Sequence, residues 1–247
     1  MGNFPVLCPF FFYLVAMTWH APPPFSAHHP LRFSMNQQKK INAYCEAHTT
    51  LPVPELYELE RETHLKTLSP QLISGTVHGH LLTLLASLAK PKTALEIGTF
   101  TGYASICIAK GLPEGGMLHT IEINPELAAI SRKYFGKAGL SDKITAHTGD
   151  ARTVIPTIDG GFDFVFMDAA KFDYRFYYEL VVERMNPGAL LVADNVLWDG
   201  KVVAKSGDAD TLNMDAFNKL VHDDPRVENV MLPIRDGILI ARRTQLA

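Results

Sequence analysis

Ala94-Leu-Glu-Ile-Gly-Thr-Phe-Thr-Gly-Tyr103 is the stretch that decides the fold. An apolar run enters Gly98, and a second glycine follows at Gly102 before helix-compatible residues resume. This reads as a buried strand turning sharply into a helix, with glycine where the backbone must bend and approach a neighbour. Outward from it, strand and helix patterns alternate. The expected strands are Thr93–Gly98, Met117–Ile123, Lys143–Gly149, Phe162–Met167 and Ala189–Ala193. Helices are expected over Tyr103–Lys110 and from Pro125, with proline in the first turn. Val227–Ile234 and Ile238–Arg242 flank Arg235-Asp236-Gly237 and read as a hairpin. Before the first strand, Asn36–His48, Pro54–Thr67 and Pro70–Ala89 carry helical spacing. Such alternation predicts an α/β fold, a doubly wound and mostly parallel sheet with helices on both faces and right-handed crossovers.

The chain has 247 residues, 47% hydrophobic and 20% charged, with a formal net charge of −3. That size suits one sizeable domain, and the charge gives no reason to expect nucleic-acid or acidic-membrane partners. Cys8, Cys45 and Cys107 are far apart, which excludes a CxxC zinc site or a disulfide framework and fits a reducing, cytoplasmic setting. Residues 1–34 differ from the rest: Phe4–Met17 is apolar, and Ala21–Pro30 is rich in Pro and His. A signal peptide is disfavoured by the lack of Lys or Arg before Arg32 and by Pro5 and Pro9. The run is short for a bilayer span, and Val6 breaks the myristoylation pattern. Residues 1–34 are therefore expected to be a poorly structured leader or a mis-assigned start, and 35–247 a single domain.

In open α/β sheets, ligands bind beyond the carboxyl ends of the strands. The turn after the first strand is G-x-x-x-G and not the G-x-G-x-x-G of dinucleotide sites, so it suits a nucleoside without a pyrophosphate. Glu96, Glu122 and Asp150 stand at three successive strand ends. Together they match the amine, ribose and base of S-adenosylmethionine. Taken singly, each has a plainer reading as a cap of the following helix. The fourth strand runs into Asp168-Ala-Ala-Lys171 and the fifth into Asp194-Asn195. Adjacent strands would bring two carboxylates and one amide oxygen together, a donor set for a hard cation such as Mg²⁺. Lys171 would then be the general base for a hydroxyl whose acidity the cation raises. Turn chemistry for Asp-Asn and a solvated lysine are the plain alternatives. Trp198 is equally readable as a wall for a flat substrate or as packing. The aromatics Phe172, Tyr174, Phe176, Tyr177 and Tyr178 read as packing, and His78 and His80 as cofactor-proximal or core residues.

Glu96-Ile-Gly-Thr-Phe-Thr-Gly-Tyr103, Ile121-Glu-Ile-Asn124, Met167-Asp-Ala-Ala-Lys171, Asp194-Asn-Val-Leu-Trp198 and Leu232-Pro-Ile-Arg-Asp-Gly237 occur in this order. Over Leu51 to Arg243 the chain resembles the cation-dependent O-methyltransferases, typified by caffeoyl-CoA O-methyltransferase and, more distantly, catechol O-methyltransferase. The resemblance implies a Rossmann-like seven-stranded sheet with the last strand antiparallel, and a homodimer. It implies Asp168, Asp194 and Asn195 as ligands of Mg²⁺ or another divalent cation such as Mn²⁺ or Ca²⁺, and Lys171 with Asp168 as catalytic residues. S-adenosyl-L-methionine contacts are expected from Glu96, Gly98, Thr99, Tyr103, Ala104, Ser105, Glu122, Asp150, Ala151 and Asp168. The expected acceptor is a small hydroxylated aromatic, catechol-like or hydroxycinnamoyl-type. Ala104, Ala170 and His80 depart from residues frequent in the family, and Ala170 removes a carboxylate that the plant enzymes carry. A dinucleotide oxidoreductase is disfavoured by the missing third glycine, and a nucleic-acid methyltransferase by the lack of an Asn/Asp-Pro-Pro-Tyr run or a basic stripe.

Overall fold

The computed structural model describes residues 35–245, so the leader expectation for 1–34 lies outside the described residues. The chain divides after Asn42, and the unit Ala43–Ala247 carries the sheet and the site described below. The helices are α1 (Met35–Ala47), α2 (Pro54–Lys66), α3 (Gly75–Ala89), α4 (Tyr103–Gly111), α5 (Ala128–Lys137), α6 (Ala151–Val154), α7 (Tyr174–Val182), α8 (Lys201–Ala204) and α9 (Ala209–Asp223). The strands are β1 (Thr93–Ile97), β2 (Met117–Glu122), β3 (Ile144–Thr148), β4 (Phe162–Met167), β5 (Met185–Asp194), β6 (Val227–Leu232) and β7 (Ile238–Arg243).

Among the described residues, one sheet takes all seven strands in the order β3-β2-β1-β4-β5-β7-β6. The first five run parallel, and β7 lies antiparallel between β5 and β6. Alternation along each strand sorts side chains onto two faces. Leu95, Ile97, Val165, Met167, Leu191 and Ala193 join one buried cluster with residues of α7 and α9. Ala94, Leu118, Phe164, Phe166 and Val192 join the other, with residues of α3, α4 and α5. Both faces are covered, which is why these strands read as nearly continuous apolar runs.

Two local expectations change. Pro70–Ala89 is not one helix: a 3-10 turn over Pro70–Leu72 ends at Ile73, whose backbone is extended (ψ 137°), and α3 starts afresh at Gly75. The segment has the length and a mean hydropathy (1.4) of a membrane-crossing helix. Instead α3 packs against α4, with the Thr83 hydroxyl donating to the Cys107 carbonyl at 2.8 Å and Leu82 and Ala86 fully buried. Helix α9, not expected from the sequence, starts where the Asp208 carboxylate accepts the Thr211 N–H at 3.0 Å. Its buried face is narrow, resting on Thr211, Met214, Phe217 and Val221, so its periodic signal is weak.

The strand order reverses at β1, with β2 on one side and β4 on the other. Crevices at such a point receive ligands. Gly98 ends β1 there with φ +101°, and a Cβ at this position would overlap the Asp168 carbonyl oxygen after β4. The Asp168 N–H continues the pairing by donating to the Ile97 carbonyl at 2.9 Å. Gly98→Ala is accordingly expected to lower unfolding stability by roughly 3 kcal/mol through combined backbone strain and overlap. Urea denaturation measures this, and a loss below about 0.5 kcal/mol, the size of an ordinary surface substitution, would contradict it.

Candidate active site

At the carboxyl ends of β1, β2 and β4 lies a cavity of about 570 Å³, lined in part by Gly98, Phe100, Glu122, Ala151, Asp168 and Tyr177. That volume suits a ligand of cofactor size. The glycine turn is fixed to β2, because the Gly98 and Thr99 N–H groups both donate to the Ile121 carbonyl, at 3.0 and 3.2 Å. Glu122 folds back over the turn. Its two oxygens accept the Phe100 and Asn124 N–H groups, each at 2.8 Å.

The other acids expected at strand ends take different positions. Glu96 is fully buried on the face of β1 toward α4 and does not line the cavity. Its Oε2 accepts the Ser105 hydroxyl and, at 2.5 Å, the Thr120 hydroxyl, while Oε1 is buried without a partner. Burial, only partly offset by these hydroxyls, pushes its carboxyl up to about 8. Thr99, Tyr103, Ala104 and Ser105 are likewise buried and stand outside the cavity lining. The reason is that the first turn of α4 faces the sheet, with every residue from Tyr103 to Ala109 buried. Asp150 takes the plainer role of a helix cap. Its carboxylate accepts the Arg152 backbone N–H at 2.9 Å and pairs with the guanidinium at 3.1 Å. These bonds hold its pKa below the usual value, and Ala151 and Arg152 line the cavity in its place.

Asp168 belongs both to the cavity and to a polar cluster beyond it. Lys171, in the turn before α7, places Nζ 3.1 Å from Asp168 Oδ1, 2.7 Å from Asn195 Oδ1 and 2.8 Å from the Tyr174 hydroxyl. Burial, with Asp194 close by, raises the Asp168 carboxyl despite the opposing Lys171 charge. Asp194, at the end of β5, is only 3% exposed. Burial alone would raise its pKa, but it is held low by His78, whose Nδ1 is 3.2 Å from Oδ2, and by the Asn195 N–H, which donates to Oδ1 at 2.7 Å. The structure thus brings Asp168, Lys171, Asp194 and Asn195 together, as the sequence led us to expect. It adds two residues. His78 reaches the cluster from α3, and the fully buried Tyr174 sits between the Lys171 ammonium and the carbonyls of Met167 and Asp194, each 3.1 Å from its hydroxyl. Tyr174 had read as packing. Its place three residues after Lys171 was the available signal.

The loop after β5 is held in left-handed backbone at Asn195, Trp198, Asp199 and Gly200. The β6–β7 turn fastens it. Leu197 and Val196 N–H groups donate to the Asp236 and Gly237 carbonyls at 2.8 and 3.1 Å, and the Asp199 N–H donates to the Asp236 carboxylate. A Cβ on Gly237 would overlap the Leu197 side chain. On the turn's other side, the Arg235 guanidinium donates twice to the Ile73 carbonyl at 3.2 Å, at the break before α3. Trp198 is half-buried against the α7/α9 cluster, with Nε1 unpartnered and Lys201 over its ring. Among the expected packing aromatics, Tyr174, Tyr177 and Tyr178 are buried, whereas Phe172 is 62% exposed and, like Tyr177, lines the cavity.

The sequence profile of the O-methyltransferase family matches residues 46–244. The chain belongs to this family. Relatives include caffeoyl-CoA O-methyltransferase of Eucalyptus gunnii, 36% identical over 182 residues, which are 68% of this chain and 73% of that protein. Catechol O-methyltransferase of Niastella koreensis is 41% identical over 138 residues, 54% of this chain and 62% of that one. The Podospora anserina methyltransferase PaMTH1, solved with S-adenosylhomocysteine, superposes with a TM-score of 0.80 at 26% identity, over 87% of this chain and 98% of its own. The O-methyltransferase TomG of Streptomyces achromogenes, solved with S-adenosylmethionine, gives 0.79 at 29% identity, over 86% and 100%. The protein is an S-adenosylmethionine-dependent O-methyltransferase with the Rossmann-like sheet of its family. The whole cavity and the polar cluster fall inside the matched span.

Glu96 gives the site a pH signature. The folded state keeps a proton that the unfolded chain releases above the ordinary value of 4.5, so folding binds protons between there and about 8. Stability from this group is present at low pH, falls as pH rises across that window, and levels off above it. Glu96→Gln should remove this slope. Urea midpoints at pH 5 and 8 test it, and an identical pH dependence in the two proteins would refute the assignment.

Proposed function

We propose that this O-methyltransferase acts on a hydroxyl of a small catechol-like or hydroxycinnamoyl-type acceptor and uses a divalent cation, Mg²⁺ or one such as Mn²⁺ or Ca²⁺, held by Asp168, Asp194 and Asn195. One observation carries the reading. Oxygens of Asp168 and Asn195, on different loops, already converge on a single positive charge, the Lys171 ammonium, next to the cofactor cavity. Among the described residues no group of three His, Cys, Asp or Glu is placed to hold a metal, and the proposed set takes its third donor from the amide oxygen of Asn195. Two carboxylates and an amide suit a hard cation that keeps further positions for two neighbouring hydroxyls. For S-adenosylmethionine, Glu122 stands in the cavity wall for ribose hydroxyls.

The cation would supply acidity and orientation to the acceptor hydroxyl. The chain's own residues do the rest. Lys171 takes the hydroxyl proton on Nζ once that atom has a free lone pair. The acceptor oxygen then attacks the methyl carbon in line, so that an O–C bond forms as the C–S bond breaks and the sulfur leaves as a neutral thioether. The fixed positions of Gly98 and Asp168 keep donor and acceptor adjacent, so alignment contributes much of the acceleration. Trp198 and the exposed Phe172 are candidate walls for a flat acceptor. The reading includes a cytoplasmic setting, supported by the isolated cysteines, and no nucleic-acid or membrane partners, supported by the net charge of −3; a homodimer, which only the family resemblance implies; and a single domain over 35–247.

A methyl-transfer screen over catechols, flavonoids and hydroxycinnamoyl thioesters, with Mg²⁺ or with EDTA, tests the reading. Catechol-type acceptors should be methylated only with the cation, and Asp168→Ala or Asp194→Ala should abolish the stimulation. Undiminished turnover in EDTA would sink the metal assignment. Lys171→Ala should lower kcat by about 10²- to 10⁴-fold while S-adenosylmethionine affinity, read by calorimetry, stays within about threefold. An unchanged kcat would remove Lys171 as the base.

A further inference from the structure

Lys171 has no free lone pair in this structure. An ammonium carries three donors and no acceptor, and Nζ meets three acceptors: Asp168 Oδ1, Asn195 Oδ1 and the Tyr174 oxygen, at 3.1, 2.7 and 2.8 Å. Tyr174 has one proton, which goes to the Met167 or the Asp194 carbonyl, so its oxygen is left to accept from Lys171. The lysine side chain is only 10% exposed. Two of its three acceptors are the oxygens assigned above to the divalent cation. Asp194 is not among them, since its oxygens face the Asn195 N–H and His78.

We propose that Lys171 is a tethered counter-cation that occupies the divalent-cation site in the metal-free protein, so that cation entry and lysine release are a single exchange. The inference rests on the metal reading above. A unit charge and a double charge cannot share the Asp168 and Asn195 oxygens in a largely buried site, where their repulsion is weakly screened. The lysine neutralises the acids while the site lacks metal, which avoids leaving buried carboxylates unpaired. Its release frees Nζ from all three acceptors. Tyr174 is the positioning residue of the resting state. It touches none of the side-chain oxygens proposed for the cation, yet it supplies one of the three contacts that hold the ammonium in place. No covalent bond changes in the exchange: one ammonium leaves and one dication enters.

The test is calorimetric titration of Mn²⁺ into the full-length chain at fixed pH, counting the equivalent that Asp168→Ala loses. Lys171→Met, which keeps the length and removes the charge, should bind Mn²⁺ at least about tenfold tighter than wild type. Lys171→Arg, which keeps a charge, should bind no tighter than wild type. Tyr174→Phe should bind a few-fold tighter, because the ammonium loses one holding contact. Structural damage would weaken binding and cannot produce these gains. Thermal melting gives an independent readout: metal-free Lys171→Met should melt below wild type and gain more on Mn²⁺ addition. Equal Mn²⁺ affinity in wild type, Lys171→Met and Lys171→Arg, or weaker binding in Lys171→Met, overturns the exchange alone. No Mn²⁺ binding by either wild type or Lys171→Met overturns the metal reading and the exchange with it. If Lys171→Met does not fold, Tyr174→Phe decides, and unchanged affinity there overturns the proposal.

Discussion

The end of β1 and the residue after β4 touch with no space between them. Gly98 stands against the Asp168 carbonyl so closely that no side chain fits, in backbone that disfavours side chains in any case. This contact fixes where the two central strands finish relative to each other. On one side of it the glycine turn, Glu122 and Ala151 enclose the cavity. On the other, Asp168 projects toward Lys171 and Asn195. The cavity and the proposed cation site need to be neighbours for a methyl group to cross between them, and the absence of one Cβ lets the two strand ends come this close.

The second constraint is charge. Two buried or half-buried carboxylates, Asp168 and Asp194, stand within electrostatic reach of each other, and each is answered by a different neighbour. Lys171 answers Asp168 and His78 faces Asp194. Removing one partner from such an arrangement leaves a buried charge uncompensated, which costs more than the pair contributes. The cluster is therefore coupled to α3, the turn before α7, and the β5 loop at once. The β6–β7 turn ties two of these together. Arg235 holds the chain before α3, and Asp236 and Gly237 hold the Asn195–Gly200 loop. A left-handed loop of this kind stores strain that persists only when its surroundings fix it, and the hairpin is that surrounding.

Much of this was legible in the chain. The alternation of apolar runs with helical spacing gave all seven strands within a few residues, because burial on both sheet faces writes itself into composition. The Arg235-Asp236-Gly237 turn was legible because positive φ selects few residues. Helix α9 was not, since its apolar stripe is narrow. The break at Ile73 was not either, because the partner of its carbonyl, Arg235, is far along the chain. Asp168, Lys171, Asp194 and Asn195 were legible as a group, since strand ends in a parallel sheet point the same way.

The sequence by itself determined which segments become strands and helices, where the chain turns, and which acids stand near strand ends. These are short-range matters of periodicity, backbone freedom and capping. Tertiary structure decided what each acid does. Glu96 lies on the strand face that α4 covers, so it became a buried group bonded to Ser105 and Thr120. Asp150 accepts the Arg152 N–H, the cap that local sequence already allowed, whereas Glu122 was taken by the glycine turn. Asn195 reaches Lys171 only because β4 and β5 are adjacent and the hairpin fixes the loop after β5. Which face a side chain occupies and which partner reaches it first are set by packing between distant segments, and local sequence carries no record of that.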